Sequence, residues 1–259
     1  MRIATWNING VKARQEMLLK WLEEVKPDIV GLQEIKILDE GFPKLEIASL
    51  GYNVETFGQK SWNGVALLSK YRFDEVHRGL PGDDGDDQAR LIEGVFSTDR
   101  GVVRVCCIYL PNGNPVNSEK FPYKLSWMDR LVNFVEGRLA LEEPFILMGD
   151  YNIIPADVDA TFPEKWVNDA LFRPESLARF RMLVNLGLTD AVRAVTDEPS
   201  YTFWDFKTFG WERKDGIRID HMLLSPQAAD RLEDVVIHKE VRGWEKPSDH
   251  VPVEASFAL

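Results

Sequence analysis

The chain contains short segments that are apolar without interruption, and the clearest is the run from Phe145 to Met148. A strand with one buried face alternates apolar and polar residues, so an unbroken run is typical of a strand covered on both faces. Further strands are predicted at 2–7, 28–35, 64–70, 91–97, 102–110, 217–225, 235–241 and 250–259. Strands of this kind require layers of structure on both sides of their sheets.

Helices are predicted between several of these strands. Leu18, Trp21, Leu22 and Val25 recur at helical spacing after the first strand, and Pro27 ends the pattern. The mixture of adjacent and crossover connections indicates an α/β fold with large mixed sheets. Further helices are predicted over 123–139, around 174–187 and after Pro226.

The organisation of the chain indicates one unit with internal similarity. No linker-like or low-complexity segment interrupts it, so a single domain over 1–259 is predicted. The segments DIVGLQE and FILMGDYN are both apolar runs that lead to a carboxylate. Their similarity suggests two packed sheets related by a pseudo-twofold axis. Gly149 is expected to let a ligand approach the backbone closely, and Tyr151 to point away from the face that Asp150 and Asn152 share.

Charge restricts the class of partner only weakly. The chain has 31 Lys and Arg and 42 Asp and Glu, so its formal net charge is −11. Taken alone, this excess of acid argues against nucleic acid, because phosphate binding uses basic residues. A binding face is local, however, and basic residues could still line one surface. The most acidic run, GDDGDD at 82–87, is predicted to be a solvated loop.

Cysteine usage and hydropathy favour a cytoplasmic protein. Cys106 and Cys107 are adjacent on a predicted strand, where their side chains are expected on opposite faces, so a structural disulfide is not expected. The first residues lack the layout of a secretory signal. No apolar run approaches the ~20 residues of a membrane span. A cytoplasmic location without a membrane partner is predicted.

Polar side chains cluster where the predicted strands end, which is where packed α/β sheets build their sites. Any one of them has an ordinary structural explanation as a turn residue, a cap or a surface histidine. A carboxylate flanked by apolar residues, as at Glu34 and Asp220, must be paired, metal-bound or at an edge. The set as a whole indicates a polar site, and it comprises Asn7, Glu34, Tyr109, Asp150, Asn152, Asp220, Asp249 and His250.

The residue types of this set favour one kind of metal. Zinc sites favour histidine and cysteine, whereas this chain has four histidines and no separated cysteine pair. Oxygen ligands suit Mg²⁺, with Mn²⁺ as a substitute, and such ions often also bind a substrate phosphate. No G-x-x-x-x-G-K-[ST] segment is present, which excludes a P-loop nucleotide hydrolase. A phosphoryl hydrolase with a metal, an activated water and one histidine remains.

A series of motifs from residue 5 to residue 253 carries a resemblance to a known family. They are TWNING, PDIVGLQEIK, GYNV, GVALLSK, the PGDD and QAR stretch, YLPNG, KFPYK, MGDYNIIPADVD, YTFWDF, GIRIDHMLLS and EKPSDHVPV. In this order they resemble the exonuclease/endonuclease/phosphatase superfamily, and within it the exonuclease III family of abasic-site DNA repair nucleases. The resemblance implies a DNase I-like four-layer α/β sandwich, with two packed mixed sheets flanked by helices.

The resemblance also implies how the oxygen ligands are used. Glu34 would be the main metal ligand, with Asn7 and Asp249 close by. Asp150 would orient or deprotonate the attacking water. Asn152 would bind the scissile phosphate, and both Asp150 and Asn152 are candidate metal contacts.

The remaining polar residues would stabilise charge on the phosphate. By resemblance, His250 contacts the phosphate and pairs with Asp220, and Tyr109 hydrogen-bonds a phosphate oxygen. A carboxylate beside the histidine would fix the ring tautomer and favour imidazolium, so that the ring donates to the phosphate. This is the arrangement that a developing negative charge requires.

DNA contacts are implied at polar and aromatic positions. Phe203 and Trp204 have two explanations, because alternating aromatic residues in YTFWDF could simply fill the core. In the other explanation Phe203 lines the pocket for a base-less sugar, with Trp204 or Trp211 contacting DNA. A small apolar pocket would exclude a nucleotide that keeps its base. The polar contacts implied are Asn9, Lys36, Arg90 and Asn112.

Three positions depart from the family pattern. Ile217 stands where animal relatives carry a tryptophan beside the abasic pocket. Tyr151 stands where methionine is common, and Ile35 where a small hydroxyl residue is common. All three lie beside the expected site, so they are expected to tune sugar preference or the balance of activities without removing the chemistry.

The predicted function is a monomeric, Mg²⁺-dependent phosphodiesterase that acts on double-stranded DNA. It would incise 5′ to abasic sites and remove nucleotides or blocking groups from 3′ ends. One alternative is a phosphomonoesterase, or a phospholipid- or inositol-phosphate-cleaving member of the superfamily. Another is a non-catalytic DNA-binding relative, which should have lost some of the polar set, yet all of it is present.

Overall fold

The computed structural model describes residues 1–259, which form twelve strands and six α-helices. The strands are β1 (Arg2–Asn7), β2 (Ile29–Gln33), β3 (Asn53–Phe57), β4 (Val65–Ser69), β5 (Glu75–Arg78), β6 (Leu91–Thr98), β7 (Gly101–Tyr109), β8 (Phe145–Asp150), β9 (Thr189–Asp190), β10 (Asp220–Leu224), β11 (Leu232–Ile237) and β12 (Val253–Phe257). The helices are α1 (Val11–Val25), α2 (Lys44–Ala48), α3 (Lys120–Leu139), α4 (Pro174–Asn185), α5 (Ala191–Val195) and α6 (Pro226–Ala229).

The strands form two six-stranded mixed sheets. The first sheet has the order β11-β12-β1-β2-β4-β3 and the second has the order β5-β6-β7-β8-β10-β9. In each sheet two central strands are parallel, β1 with β2 and β7 with β8, and each parallel pair has antiparallel neighbours. Each pair is joined through a long helix, α1 or α3. The two sheets therefore repeat one topology, as the similar apolar runs suggested.

Three apolar clusters separate four layers of structure. One lies between the sheets and includes Ile3, Cys107 and Met148. A second packs α1 against the first sheet, and a third packs α3 and α4 against the second sheet, where Cys106 lies. Burial on both sides explains the unbroken apolar runs. The predicted four-layer sandwich and the opposite orientation of the two free, buried cysteines are confirmed.

Several strand boundaries differ from the sequence prediction because a strand ends where its partner does. The strand predicted at 217–225 begins only at Asp220, opposite Asp150, the last residue of β8. The strand predicted at 235–241 instead spans β11, because its pairing with β12 ends at Ile237. Asp249 and His250 were expected to begin the last strand but precede it, since β12 starts at Val253.

The acidic loop at 82–87 is mostly exposed, as predicted, with one exception. The Asp86 carboxylate accepts a hydrogen bond from the Tyr123 hydroxyl at 3.0 Å and pairs with Arg130. Asp86 therefore holds the loop against α3. No helix combines the length and apolar composition needed to cross a membrane.

Candidate active site

A polar cleft of about 220 Å³ lies at the edge where β1, β2, β7 and β8 end. Because parallel strands of both sheets end here, residues that follow them in sequence meet across the two sheets. The cleft is lined by Glu34, Tyr109, Asn112, Asn114, Asp150, Asn152, Trp166, Asp169, Leu171, Phe203, Asp205, Ile219, Asp249 and His250.

Asn7 joins the carboxylates of the two sheets. Its side-chain nitrogen donates to Glu34 Oε1 at 2.9 Å and to Asp150 Oδ2 at 2.8 Å. Its amide oxygen accepts from the backbone N–H of Asn9 at 3.0 Å. In this orientation Asn7 bridges the two carboxylates, and its role beside the metal stays a prediction.

Glu34 lies just beyond β2, in the left-handed backbone region with φ 51°. Its side chain keeps 18% of its surface exposed, and Oε2 lies 2.8 Å from Lys36 Nζ. Burial alone would raise the pKa of Glu34, but the Lys36 ammonium and the amide of Asn7 outweigh it, and the pKa is lowered. Glu34 is therefore an ionised carboxylate that faces the cleft.

The pKa of Asp150, at the end of β8, is shifted in the opposite direction. Its side chain is only 2% exposed. Burial raises the pKa of Asp150 to about 7; the nearby His250 opposes the rise, and Asp220 and Glu34 add to it. Asp150 is thus the carboxyl group of the cleft with the greatest tendency to hold a proton near neutral pH.

His250 is held as a cation by Asp220. The Asp220 carboxylate lies 2.9 Å from His250 Nδ1, while Nε2 lies 3.8 Å from Asp150 Oδ2. Burial would lower the pKa of His250, but Asp220 reverses this and raises it to about 10, with help from Asp150 and Asp249. The ring therefore carries a proton on Nε2 that points towards the cleft.

Asn152 takes its place through local backbone geometry and not by strand alternation. The strand ends at Asp150, and Asn152 has φ 47°. Its backbone N–H donates to Asp150 Oδ1 at 2.9 Å, its side-chain nitrogen donates to the Leu110 carbonyl at 2.9 Å, and its side-chain oxygen accepts from Asn112 at 2.9 Å. Tyr151 is still buried on the helix side, so both polar side chains line the cleft as expected.

The reason for Gly149 differs from the prediction. A Cβ at this position would lie 1.9 Å from the carbonyl oxygen of Ile108, and the residue has φ +151°. The neighbouring strand β7, not a ligand, therefore excludes a side chain here. Asp150 owes its placement to this close approach of two strands.

The donor atoms fit a hard divalent cation. Ligand atoms of Glu34, Asp150 and His250 lie within 4.8 Å of one another. Because His250 is protonated, the carboxylate oxygens are the available ligands, and oxygen ligands suit Mg²⁺ or Mn²⁺. Asp249 lies outside this tight group: its Oδ1 accepts from Asn9 Nδ2 at 2.9 Å, and Asn9 in turn accepts from Lys36.

The predicted polar DNA contacts lie around the cleft. Lys36 and Asn9 flank Glu34 on one side. Arg90 stacks over Tyr109, with its guanidinium 5.0 Å from the ring centroid, and donates to the Tyr109 backbone carbonyl. Burial beside Glu34 and Asp150 raises the pKa of Tyr109 above its usual range, so its hydroxyl stays a donor. Asn112 is exposed at the rim.

The aromatic residues divide between the two explanations. Phe203 lines the cleft, and its ring centroid lies 4.8 Å from that of His250. Trp204 is 4% exposed and packs edge-on against Trp211, at 4.9 Å between centroids. The Trp204 ring is therefore covered, which favours the explanation that it fills the core. Trp211 keeps partial exposure.

The three departures from the family pattern lie behind the cleft. Ile217 is 1% exposed in a small cluster with Ile154, Ala160 and Leu171. Ile35 and Tyr151 are fully buried against helices of opposite layers. None of the three side chains lines the cleft.

Several residues of the cleft carry no signal in the local sequence. Trp166, Asp169 and Leu171 come from the long connection between β8 and α4, and no pattern there predicts a wall. Lys124, a basic residue of the KFPYK segment that could have lined a binding face, is fully buried, and its Nζ donates to the Asn152 carbonyl. Its basic character predicts exposure, so burial at this point could be found only in three dimensions.

The arrangement combines the elements of a phosphoryl hydrolase. A carboxyl group able to accept a proton, Asp150, lies across from an imidazolium, His250, and beside an ionised carboxylate, Glu34. Amide and phenol donors of Asn152 and Tyr109 face the same space. Fixed donors aimed at one point are what a charged transition state requires.

Comparisons with known proteins identify the family of the chain. A model of the Endonuclease/Exonuclease/phosphatase family matches residues 4–250. Exodeoxyribonuclease III of Haemophilus influenzae is 37% identical over 266 aligned positions, which cover 99% of this chain and 100% of that protein.

Two solved structures share the whole fold. A 3′ phosphatase from Neisseria, NExo, bound to a product DNA hairpin, superposes with a TM-score of 0.95 at 39% identity. An AP endonuclease from Archaeoglobus fulgidus superposes with a TM-score of 0.94 at 33% identity. In both cases 100% of each chain is covered. The match to the family model over nearly the whole chain shows that this protein belongs to the Endonuclease/Exonuclease/phosphatase family.

Proposed function

We propose that the protein is a metal-dependent DNA repair nuclease. It hydrolyses the phosphodiester 5′ to an abasic site and trims nucleotides or blocking groups from the 3′ ends of double-stranded DNA. The observation that carries the proposal is the placement of Asp150 between the ionised Glu34 and the His250–Asp220 pair. Residues 1–259 act as one catalytic domain and as a monomer.

Glu34 would be the main ligand of Mg²⁺, or of Mn²⁺ in its place, and the Asp150 carboxyl group lies close to the same position. When bound, the ion supplies positive charge that offsets the charge developing on the phosphate and leaving oxygens. Asn7 keeps the two carboxylates at a fixed separation by donating to both. Lys36 supplies a further cation beside Glu34.

Asp150 accepts the proton of the attacking water, because its raised pKa makes it a stronger base than an ordinary carboxylate. His250 donates from Nε2 to a phosphate oxygen, and Asp220 keeps the ring in the donating form. Asn152 and Tyr109 donate to the remaining oxygens. Each such donor typically contributes about 10²–10³ in rate.

The size and lining of the cleft support a base-less sugar as the group it receives. Phe203, Leu171 and Ile219 make one side apolar, and the volume is about 220 Å³. A small cleft with an apolar side favours an extruded sugar without its base. A terminal 3′ phosphate could reach the same catalytic groups without entering the apolar side. The related proteins with solved structures include both a 3′ phosphatase and an AP endonuclease.

A labelled duplex that carries one tetrahydrofuran abasic analogue tests the proposal. Incision 5′ to the analogue is expected with Mg²⁺, and EDTA should abolish it. A second duplex with a 3′ phosphate should release inorganic phosphate under the same conditions. Asp150→Asn provides the inactive control, and Asp28→Asn provides a matched active control, because Asp28 lies before β2, at the opposite end of that strand from Glu34.

Two outcomes would overturn the proposal. Binding of either duplex without cleavage in Mg²⁺ or Mn²⁺ would indicate a non-catalytic DNA-binding protein. Phosphate release from inositol phosphates, with no cleavage of DNA, would indicate a phosphomonoesterase. The cytoplasmic location and the preference for Mg²⁺ over Mn²⁺ stay predictions from the sequence.

A further inference from the structure

Lys124, on the second turn of α3, is the one lysine of the chain that is buried, with none of its surface exposed. Burying an ammonium is costly unless it is paired or fully hydrogen-bonded. No carboxylate forms an ion pair with it in this structure. Hydrogen-bond acceptors other than carboxylates must therefore offset the cost of burying Lys124.

The partners are two backbone carbonyls from two different loops. Lys124 Nζ donates to the carbonyl oxygen of Asn152 at 2.6 Å and to that of Asn112 at 3.1 Å. Asn152 follows β8, and Asn112 follows β7. A single side-chain amino group therefore ties together the two loops that leave the parallel strands of the second sheet.

The same two residues also meet through their side chains. Asn112 Nδ2 donates to Asn152 Oδ1 at 2.9 Å, and Asn152 Nδ2 donates to the Leu110 carbonyl. Asn152 holds a left-handed backbone, with φ 47°, which is unusual for a residue with a side chain. The bond from Lys124 to its carbonyl is one of the contacts that hold this conformation against its intrinsic preference.

The loop also makes room for the lysine stem. Gly113 has φ +88°, and a Cβ on it would lie 2.7 Å from Lys124 Cδ and 3.1 Å from the Ala170 Cβ. The glycine of the YLPNG segment is thus explained by the passage of this side chain as well as by its own backbone. The absence of a side chain at Gly113 therefore leaves the space that the Lys124 stem occupies beneath the loop.

We propose that Lys124 is a positioning residue for the nuclease reaction, holding the carbonyls of Asn112 and Asn152 together so that their amides face the cleft. The expected effect on kcat rests on the proposed function, whereas the hydrogen bonds from Lys124 to the two loops do not. Lys124 does not contact the substrate, because it is buried beneath both loops. Its effect reaches the reaction through the placement of Asn152 beside Asp150.

Removing the amino group would leave the carbonyls of Asn152 and Asn112 without this donor, and the loops would relax to recover one. A displacement of about 1 Å in a catalytic group can lower turnover by about 10²-fold. Because the Asn152 amide is assigned to the developing charge, the loss should fall on kcat and leave KM nearly unchanged.

The test compares Lys124→Met, which keeps an unbranched apolar stem and removes the amino group, with Lys70→Met. Lys70 is a matched control because it lies next to Asp28, at the far end of β2 from the cleft. On the abasic duplex, Lys124→Met should lose about 10²-fold in kcat with KM within about twofold of the wild type. Lys70→Met should behave as the wild type.

A spectroscopic readout separates positioning from general destabilisation. In ¹H–¹⁵N spectra, the side-chain amide signals of Asn112 and Asn152 should shift in Lys124→Met, while those of distant asparagines such as Asn53 stay in place. If Lys124→Met does not fold, Lys124→Gln keeps a donor for one carbonyl, and an intermediate kcat and intermediate shifts are expected.

Three results would overturn the inference. They are a kcat for Lys124→Met within twofold of the wild type, a loss expressed only in KM, and a loss of kcat with both amide signals unmoved. If the wild type itself fails to incise DNA, the proposed function fails, while the amide signals still decide whether Lys124 holds the two loops.

Discussion

Glu34 and Asp150 occupy equivalent places in the two sheets, and they have opposite properties. Glu34 directly follows β2 and Asp150 ends β8, and each of these strands is the second of a parallel pair joined through a long helix. The Glu34 side chain is 18% exposed with a lowered pKa, whereas the Asp150 side chain is 2% exposed with a pKa raised to about 7. The repeated topology therefore places one carboxyl group from each sheet in the cleft. Their surroundings keep Glu34 ionised and raise the proton affinity of Asp150.

Lys36 at Glu34 and deeper burial at Asp150 account for much of the difference between the pKa values of the two carboxyl groups. Lys36 lies 2.8 Å from Glu34 in a partly open position, so the negative charge is favoured. Asp150 has His250 at 3.8 Å, but its burial and two neighbouring carboxylates outweigh that cation. The expected loss of kcat on substitution therefore differs with the role of each residue.

The largest effect is expected for Asp150→Asn. The amide keeps the shape of the side chain but cannot accept a proton from water, so kcat should fall by about 10³-fold or more. The melting temperature should stay the same or rise, because a buried carboxylate is removed. Single-turnover incision and a thermal melt measure both. Turnover near the wild-type value would show that Asp150 is not the base.

Glu34→Gln should lower kcat by about 10²–10³-fold at a fixed Mg²⁺ concentration. Since the role assigned to Glu34 is to hold the cation, higher Mg²⁺ should recover part of the loss, whereas Asp150→Asn should not respond to added metal. A metal titration of incision rates by both variants measures this difference. Equal recovery of both would remove the distinction between the two carboxylates.

Asp220→Asn should cost about 10²-fold in kcat, because His250 loses the partner that keeps it in its donating form. The effect acts through the histidine, so a second substitution at His250 should add little to the loss. A double-mutant cycle on incision rates tests this coupling. Additive losses would indicate that the two residues act separately.

The smallest expected effect is on the free energy of unfolding, and it concerns His221, a second buried histidine that contrasts with His250. His221 adjoins Asp220 on β10; its Nδ1 lies 3.1 Å from Arg218, and its Nε2 lies 2.9 Å from the Ile153 carbonyl. Burial, reinforced by Arg218, lowers the pKa of His221 to about 4. The histidine is therefore neutral in the folded protein, whereas His250 is charged.

The sign of the pH dependence follows from this lowered pKa. Between the ordinary pKa of 6.5 and about 4, the unfolded state binds a proton that the folded state does not, so stability is lost as pH falls through this window. The loss is at most roughly 3 kcal/mol. Urea unfolding of the wild type and His221→Gln from pH 7 to pH 4 should show the wild-type advantage shrinking. A constant difference would contradict the assignment.

Local patterns predicted much of the fold, because burial on both faces leaves its mark within each strand. The runs at β2 and β8 and the helix α1 were therefore found, but strand ends were not, since they depend on where the partner strand stops. The position of polar residues at strand ends indicated the candidate site, and the resemblance implied the role of each residue. The resemblance did not predict that the backbone of β7 excludes a side chain at Gly149, or that the Trp204 ring is covered.

The wall of the cleft could not be predicted for a different reason. Trp166 and Leu171 reach the site from a long connection without periodicity, and their neighbours are distant in sequence. Lys124 looked like an exposed basic residue because its burial depends on two carbonyls of other loops. Positions defined by contacts between distant segments leave no local pattern.

The most direct measurement of the division between Glu34 and Asp150 is Mn²⁺ binding by electron paramagnetic resonance, without DNA. Glu34→Gln should weaken binding by at least about tenfold, since the main ligand is lost. Asp150→Asn should bind Mn²⁺ nearly as the wild type does while remaining inactive. If Asp150→Asn weakens binding as much as Glu34→Gln, both carboxylates serve the metal, and the assignment of Asp150 to the water is contradicted.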